Sequence, residues 1–181
     1  MVILSDIDDV LQNFVPCWIK VLNEKHHTDV KLEDIVDWDI ARFFPSLTRE
    51  EVFWPIHQDF FLDLLSPNPG APEYVKRLID DGHEVYLVTA TDYRNIRAKF
   101  EHFVQKYFPF ISWNQVIVTS NKQMLKGDVL VDDAVHNLEN GDYQKILFSA
   151  PHNKNYDAEA HGMIRADNWK EVYYIISKLE V

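Results

Sequence analysis

A chain of 181 residues with 46% apolar and 26% charged side chains is long enough to bury one substantial core, and its composition is that of an ordinary globular domain. A formal net charge of -11 speaks against a nucleic-acid or anionic-membrane surface, both of which recruit clustered Lys and Arg, while a small anionic substrate stays open because a bound cation can reverse the local field. The single cysteine, Cys17, excludes an internal disulfide framework, and no apolar run reaches the roughly 18 residues of a membrane span, so the chain reads as cytoplasmic.

The opening stretch carries the strongest signal. Val2, Ile3 and Leu4 form an apolar run too short for a helix and suited to a fully buried strand. It ends abruptly in Asp6, Asp8 and Asp9. Three acids so close together need a cation or raised pKa values. From Asn13 to Glu24 the apolar residues Phe14, Cys17, Trp18, Val21 and Leu22 recur at helical spacing, with Cys17 in a packing role. From His26 to Leu65 aromatics are dense and strand patterning is absent. Thr48 followed by Glu51 reads there as a capping box. This is a helical insert, and Trp38, Phe43, Phe44, Phe53, Trp54, Phe60 and Phe61 are read as mostly its own small core, one or two of them facing a pocket.

The Pro-rich punctuation 66–72 marks the return to the main domain, with Pro72 opening a helix that Gly82 ends. A second strand spans Val85 to Val88 and stops at Thr89. A long helix then runs through Ile96, Phe100, Phe103 and Val104 to Tyr107. Gln115 to Thr119, Asp128 to Val131 and Lys145 to Ser149 complete five predicted strands, and Trp169 to Leu179 is a closing helix. Strands alternating with helices predict an α/β fold, a Rossmann-like parallel five-stranded sheet with right-handed crossovers. The expected division is a core of residues 1–14 and 67–181 around an insert of residues 15–66.

In such a sheet Asp6 and Asp8, Thr89, Lys122, and Asp132 with Asp133 fall at one edge, where open α/β folds bind ligands. Acids, a hydroxyl and an amine are what a phosphoryl group needs. Carboxylates hold a hard cation such as Mg²⁺; Thr89 and Lys122 hold phosphoryl oxygens; one Asp attacks phosphorus and a neighbour shuttles the proton. Singly, Thr89 is an ordinary strand end, Lys122 a loop lysine and Asp132-Asp133 a helix start. Only their joint order carries the chemistry. A signalling receiver domain gathers similar groups, but its phosphoacceptor follows the third strand and it has no room for this insert.

The order Asp6-Ile-Asp8-Asp-Val, Thr89, Lys122, Asp132-Asp133 resembles the haloacid dehalogenase (HAD) superfamily, and within it the 5'(3')-deoxyribonucleotidases. The likeness includes Phe60-Phe61-Leu-Asp-Leu, Val85-Tyr-Leu-Val-Thr89, Lys106-Tyr-Phe108, Leu147-Phe-Ser-Ala-Pro-His-Asn153 and Asp167-Asn-Trp169-Lys170. It implies a Mg²⁺-dependent phosphomonoesterase with an aspartyl-phosphate intermediate. The substrate would be a pyrimidine deoxynucleoside monophosphate, or else another small phosphorylated metabolite. No nucleic-acid polymer or membrane is implied as partner, and a homodimer is left open. Residue by residue, Asp6 would be the nucleophile and Asp8 the general acid and base. Mg²⁺ would be held by Asp6, the Asp8 main chain and the Asp132–Asp133 pair, with Asp133 favoured as the direct ligand. Thr89, Ala90 through its N–H, and Lys122 would bind phosphate. Phe14, Trp38 and Phe61 would line the base and sugar pocket, and the insert would be a helical cap. Two positions depart from the family pattern. Asp9 stands where it has glycine, and Ala90 where relatives often offer a serine hydroxyl.

Overall fold

The computed structural model describes residues 1–179; the last two positions of the expected core, 180 and 181, lie outside the described residues. Six parallel strands form one sheet: β1 (Val2–Ser5), β2 (Glu84–Thr89), β3 (Val116–Val118), β4 (Val129–Asp132), β5 (Gln144–Phe148) and β6 (Met163–Ala166), in the order β3-β2-β1-β4-β5-β6. The order reverses between β1 and β4, and a crevice opens there beyond the strand ends.

The sixth strand corrects the expectation of five. Met163–Ala166 pairs with β5 along the register Lys145↔Met163 to Phe148↔Ala166. It is a four-residue edge strand containing Arg165, and its pattern is too short and too polar to read as buried.

Alternation along the strands sends side chains to two faces. Ile3, Leu87, Val129, Val131 and Ile146 face one apolar cluster, and Leu4, Val88, Leu130 and Leu147 face another. The first cluster packs against α1 (Phe14–His26), α4 (Ala71–Asp80) and α8 (Trp169–Leu179); the second packs against α7 (Val135–Leu138). Helix α4 starts at Ala71, so Pro72 is its second residue, and Gly82 follows it at φ 93.

Between β1 and β2 the chain forms α1, short 3₁₀ turns, α2 (Arg49–Phe53) and α3 (Asp59–Leu64). Thr48 and Glu51 make the reciprocal capping box at α2. The insert has no separate core: Trp18, Ile35, Phe44, Val52 and Phe61 join the same cluster as Ile3 and Val131. The long helix after β2 is interrupted. It runs as α5 (Ile96–Ala98), a π-helical stretch Lys99–Val104, and α6 (Gln105–Tyr107).

Candidate active site

Asp6 follows β1 directly, and its N–H donates to Val131 O of β4 at 2.9 Å, fixing it across the switch in strand order. The turn beyond is tied from two distant elements. Asn68 Nδ2 donates to the carbonyls of Asp9 and Val10, both at 2.9 Å, and Trp169 Nε1 donates to Val10 O at 2.9 Å.

Lys122 is 1% exposed and reaches Asp6 Oδ1 at 2.5 Å and Asp132 Oδ2 at 2.6 Å. Burial works against the Lys122 charge, but the two carboxylates outweigh it and hold the group above the ordinary lysine range. Asp6 is pushed up to about 7 by burial, with Lys122 pulling down and Asp132 and Asp8 pushing further up. Burial also raises Asp132 and Asp133.

The two neighbouring acids at the end of β4 differ in what they touch. Asp132 accepts from Lys122, from Ala134 N at 2.8 Å and from Asn137 Nδ2 at 3.1 Å. Asp133 Oδ2 is buried and accepts no hydrogen bond, although His152 Nε2 stands 3.2 Å away; that ring bonds to the Asp133 main-chain oxygen instead. Asn153 Nδ2 also donates to that main-chain oxygen at 2.8 Å, and Arg165 Nη1 of β6 holds Asn153 Oδ1 at 2.9 Å. Oxygens of Asp6, Asp132 and Asp133 lie within 4.8 Å of one another. A buried orphan carboxylate oxygen inside an all-oxygen acid cluster fits a hard divalent cation.

Asp8 is held by a lysine that sequence patterning alone did not single out. Lys99 Nζ lies 2.6 and 2.8 Å from its two oxygens and 3.3 Å from Thr89 Oγ1, and Gln12 Nε2 also donates to Asp8 Oδ1. A signal exists: Lys99 falls between Ile96 and Phe103 on the apolar stripe of a helix, where a charge has no packing reason to be. Asn137, His152 and Asn153 were missed too, because they follow no metal-ligand spacing and act on carboxylates or main chain.

Above these groups lies a cavity of about 620 Å³, within the range of small-ligand sites. Asp6, Asp8, Asp9, Lys99 and Lys122 contribute to its walls together with Ala90, Phe14 and Trp38. Thr89 is fully buried behind it. Trp38 reaches over from the insert and sets its ring edge-on to His152 at 5.0 Å and His136 at 5.5 Å. Phe61 departs from the expectation: it is fully buried and supports Phe14 from behind, T-shaped at 5.3 Å, because α3 turns it into the common core.

Comparisons with known proteins agree with this geometry. The family model described as "5' nucleotidase, deoxy (Pyrimidine), cytosolic type C protein" matches residues 1–180. A 5'(3')-deoxyribonucleotidase of Bacillus subtilis (strain 168) is 36% identical over 173 residues, covering 94% of this chain and 95% of its own. Another from Clostridium acetobutylicum is 30% identical over 175 residues, covering 97% and 94%. A solved haloacid dehalogenase-like protein from Agrobacterium tumefaciens superposes with a TM-score of 0.71 at 13% identity over 99% of both chains, which bears on the fold alone. With a model matched along almost its whole length, the chain belongs to the 5' nucleotidase, deoxy (pyrimidine), cytosolic type C family and is a HAD-fold phosphatase of the nucleotidase type.

Proposed function

We propose that the chain hydrolyses pyrimidine deoxynucleoside monophosphates through a phosphoryl group carried on Asp6. The observation that carries this reading is the pairing, at one cavity, of Asp6 at 2.5 Å from the buried Lys122 with the aromatic walls Phe14 and Trp38. One end suits a phosphate and the other a base and sugar. The similar proteins, a pyrimidine-type 5' nucleotidase family and a 5'(3')-deoxyribonucleotidase among them, support the substrate class.

In this reading an Asp6 oxygen attacks phosphorus and the P–O bond to the nucleoside breaks. Asp8 gives its proton to the departing oxygen. Asp8 then takes a proton from a water whose oxygen attacks the phosphoryl group, and the Asp6 carboxylate is regenerated. Lys122 and the Ala90 N–H hold the phosphoryl oxygens, with Thr89 buried behind them and bonded to Lys99 instead of lining the cavity as expected; positive charge there stabilises the transition state more than the ground state. Asp6, the Asp8 main chain and Asp133 would hold Mg²⁺, with Asp132 orienting Lys122. When bound, the ion neutralises charge growing on the phosphoryl oxygens. The insert 15–66 serves as a cap that keeps bulk water from the site while Trp38 rests against the two histidines.

The test is phosphate release with Mg²⁺ from a panel of deoxynucleoside 5'- and 3'-monophosphates, ribonucleotides and sugar phosphates. Pyrimidine deoxynucleotides are expected to lead the panel, and Asp6→Asn to bring release to background while the protein stays folded. Turnover persisting in Asp6→Asn overturns the mechanism; a sugar phosphate leading the panel overturns the substrate and leaves the mechanism standing.

A further inference from the structure

Lys99 opens the π-helical stretch Lys99–Val104 and is 2% exposed, among Phe103, Val104 and other core residues. Burying an ammonium costs several kcal/mol unless its partners repay it, and a methionine would fill the same space without that cost. Single π turns inside helices recur at functional sites. The partners here are the two Asp8 oxygens, at 2.6 and 2.8 Å, and the Thr89 hydroxyl at 3.3 Å; the Phe14 ring face lies 5.6 Å away. Gln12, itself fully buried, donates to the same Asp8 Oδ1. Asp8 thus has one oxygen shared by two donors and the other held by Lys99, and it remains open to the cavity on the side where it stands with Asp6. A carboxyl on a turn has free rotation about its side-chain bonds unless something removes it, and proton transfer needs it within hydrogen-bond reach of the departing oxygen.

We infer that Lys99 is a positioning residue: it locks the Asp8 carboxyl toward the leaving group, acting through Asp8 and not on the phosphate. The inference rests on the function proposed above. An alkoxide leaving from a nucleoside monophosphate needs the proton from Asp8, whereas 4-nitrophenolate departs without one. Loss of Lys99 therefore falls on the first ester far more than on the second.

The experiment measures kcat/KM for deoxyuridine monophosphate and 4-nitrophenyl phosphate with wild type, Lys99→Met and Lys99→Gln. This parameter reports steps up to loss of the alcohol, so the later hydrolysis of phospho-Asp6, common to both esters, does not enter. The ratio between substrates also cancels any change in the folded fraction. In Lys99→Met the ratio of aryl ester to nucleotide is expected to rise about 30-fold or more, a large part of what general-acid catalysis contributes, because Asp8 stays in place but loses its orientation. Lys99→Gln keeps an N–H donor and is expected to fall between Lys99→Met and wild type. Equal losses on both esters, as a phosphate-binding or merely structural lysine would give, overturn the inference while leaving the proposed function intact. An unchanged nucleotide rate overturns it as well. A wild-type enzyme inert to the nucleotide sinks the functional reading and the inference together.

Discussion

Asp9 adopts a left-handed backbone at φ 57, a conformation that disfavours any residue with a Cβ and explains why glycine suits this position. Its side chain accepts from Val15 N at 2.9 Å, satisfying a first-turn amide of α1, while still bordering the cavity. Burial, then the charge of Asp133, holds its carboxyl well above the usual range, and the bond from Val15 only partly offsets this. A carboxyl raised in the folded state weighs against stability once the pH exceeds its unfolded value. Asp9→Gly loses a cap worth a few tenths of a kcal/mol but relieves backbone strain and a half-buried acid, so a net gain of about 1 kcal/mol is expected near pH 7. The gain should shrink toward pH 4, where the acid is protonated anyway. Thermal melts at both pH values check it; a lower melting temperature at pH 7 would contradict the account. At this scale Asp6, Asp8, Lys122 and the 132–133 pair were legible because a charge that closes a buried apolar run must be met by a counter-charge or a cation. Phe61 was not, since one phenylalanine in an aromatic-rich segment looks ordinary until its neighbours are fixed, and Lys99 was passed over although its charge on an apolar helical stripe marked it.

Among the elements, the loop that carries Trp38 makes the most consequential contact, since this ring lies edge-on to His136 and His152 across the cavity. Trp38 is 58% exposed, so its removal costs little stability. Stacking of a base on an aromatic ring is worth about 1–3 kcal/mol, so Trp38→Ala is expected to raise KM roughly tenfold for a nucleotide. The same change should barely move KM for 4-nitrophenyl phosphate, which has no base to stack. Steady-state kinetics on both esters decide the point, and an unchanged nucleotide KM removes Trp38 from the binding surface. Most elements could be read from periodicity and caps: the Thr48–Glu51 box starts α2, and the apolar runs at Val2–Ser5 and Val129–Asp132 became central strands. The edges could be read only in part. β3, three residues long, was found within the predicted run Gln115 to Thr119, but β6 has only four residues with a polar Arg165 and was not, and the π turn at Lys99 leaves no mark on spacing.

For the whole molecule, the strand order brings β1 beside β4 and so concentrates the buried Asp6, Asp132 and Asp133 and the half-buried Asp9 in one place, all with raised pKa values. Because each binds a proton more readily folded than unfolded, their contribution to stability is fullest below the unfolded value of 3.8. It is lost as the pH rises through the folded value, about 7 for Asp6. The metal-free protein should therefore weaken between about pH 4 and 7. A cation bound to the deprotonated acids reverses this. Mg²⁺ at about 100 times its dissociation constant adds about 2.7 kcal/mol. For a chain of this length that is a rise of roughly 5–10 °C at pH 7.5, smaller at pH 5 where protons compete. Melting curves with Mg²⁺ and with EDTA at the two pH values test this; an equal gain at both, or none, would mean that the acid cluster is not the ion's site.

The hydrogen bond from Trp169 to Val10 has a consequence for biosynthesis. Trp169 is fully buried in α8, which leaves the ribosome after every acid and lysine of the site has been made. Until that indole arrives, the turn following the nucleophile lacks one of its two distant anchors, and a nascent chain carries its reactive groups unassembled. The turn after the nucleophile thus gains its full set of restraints only once residues far downstream of the site's acids and lysines have been added.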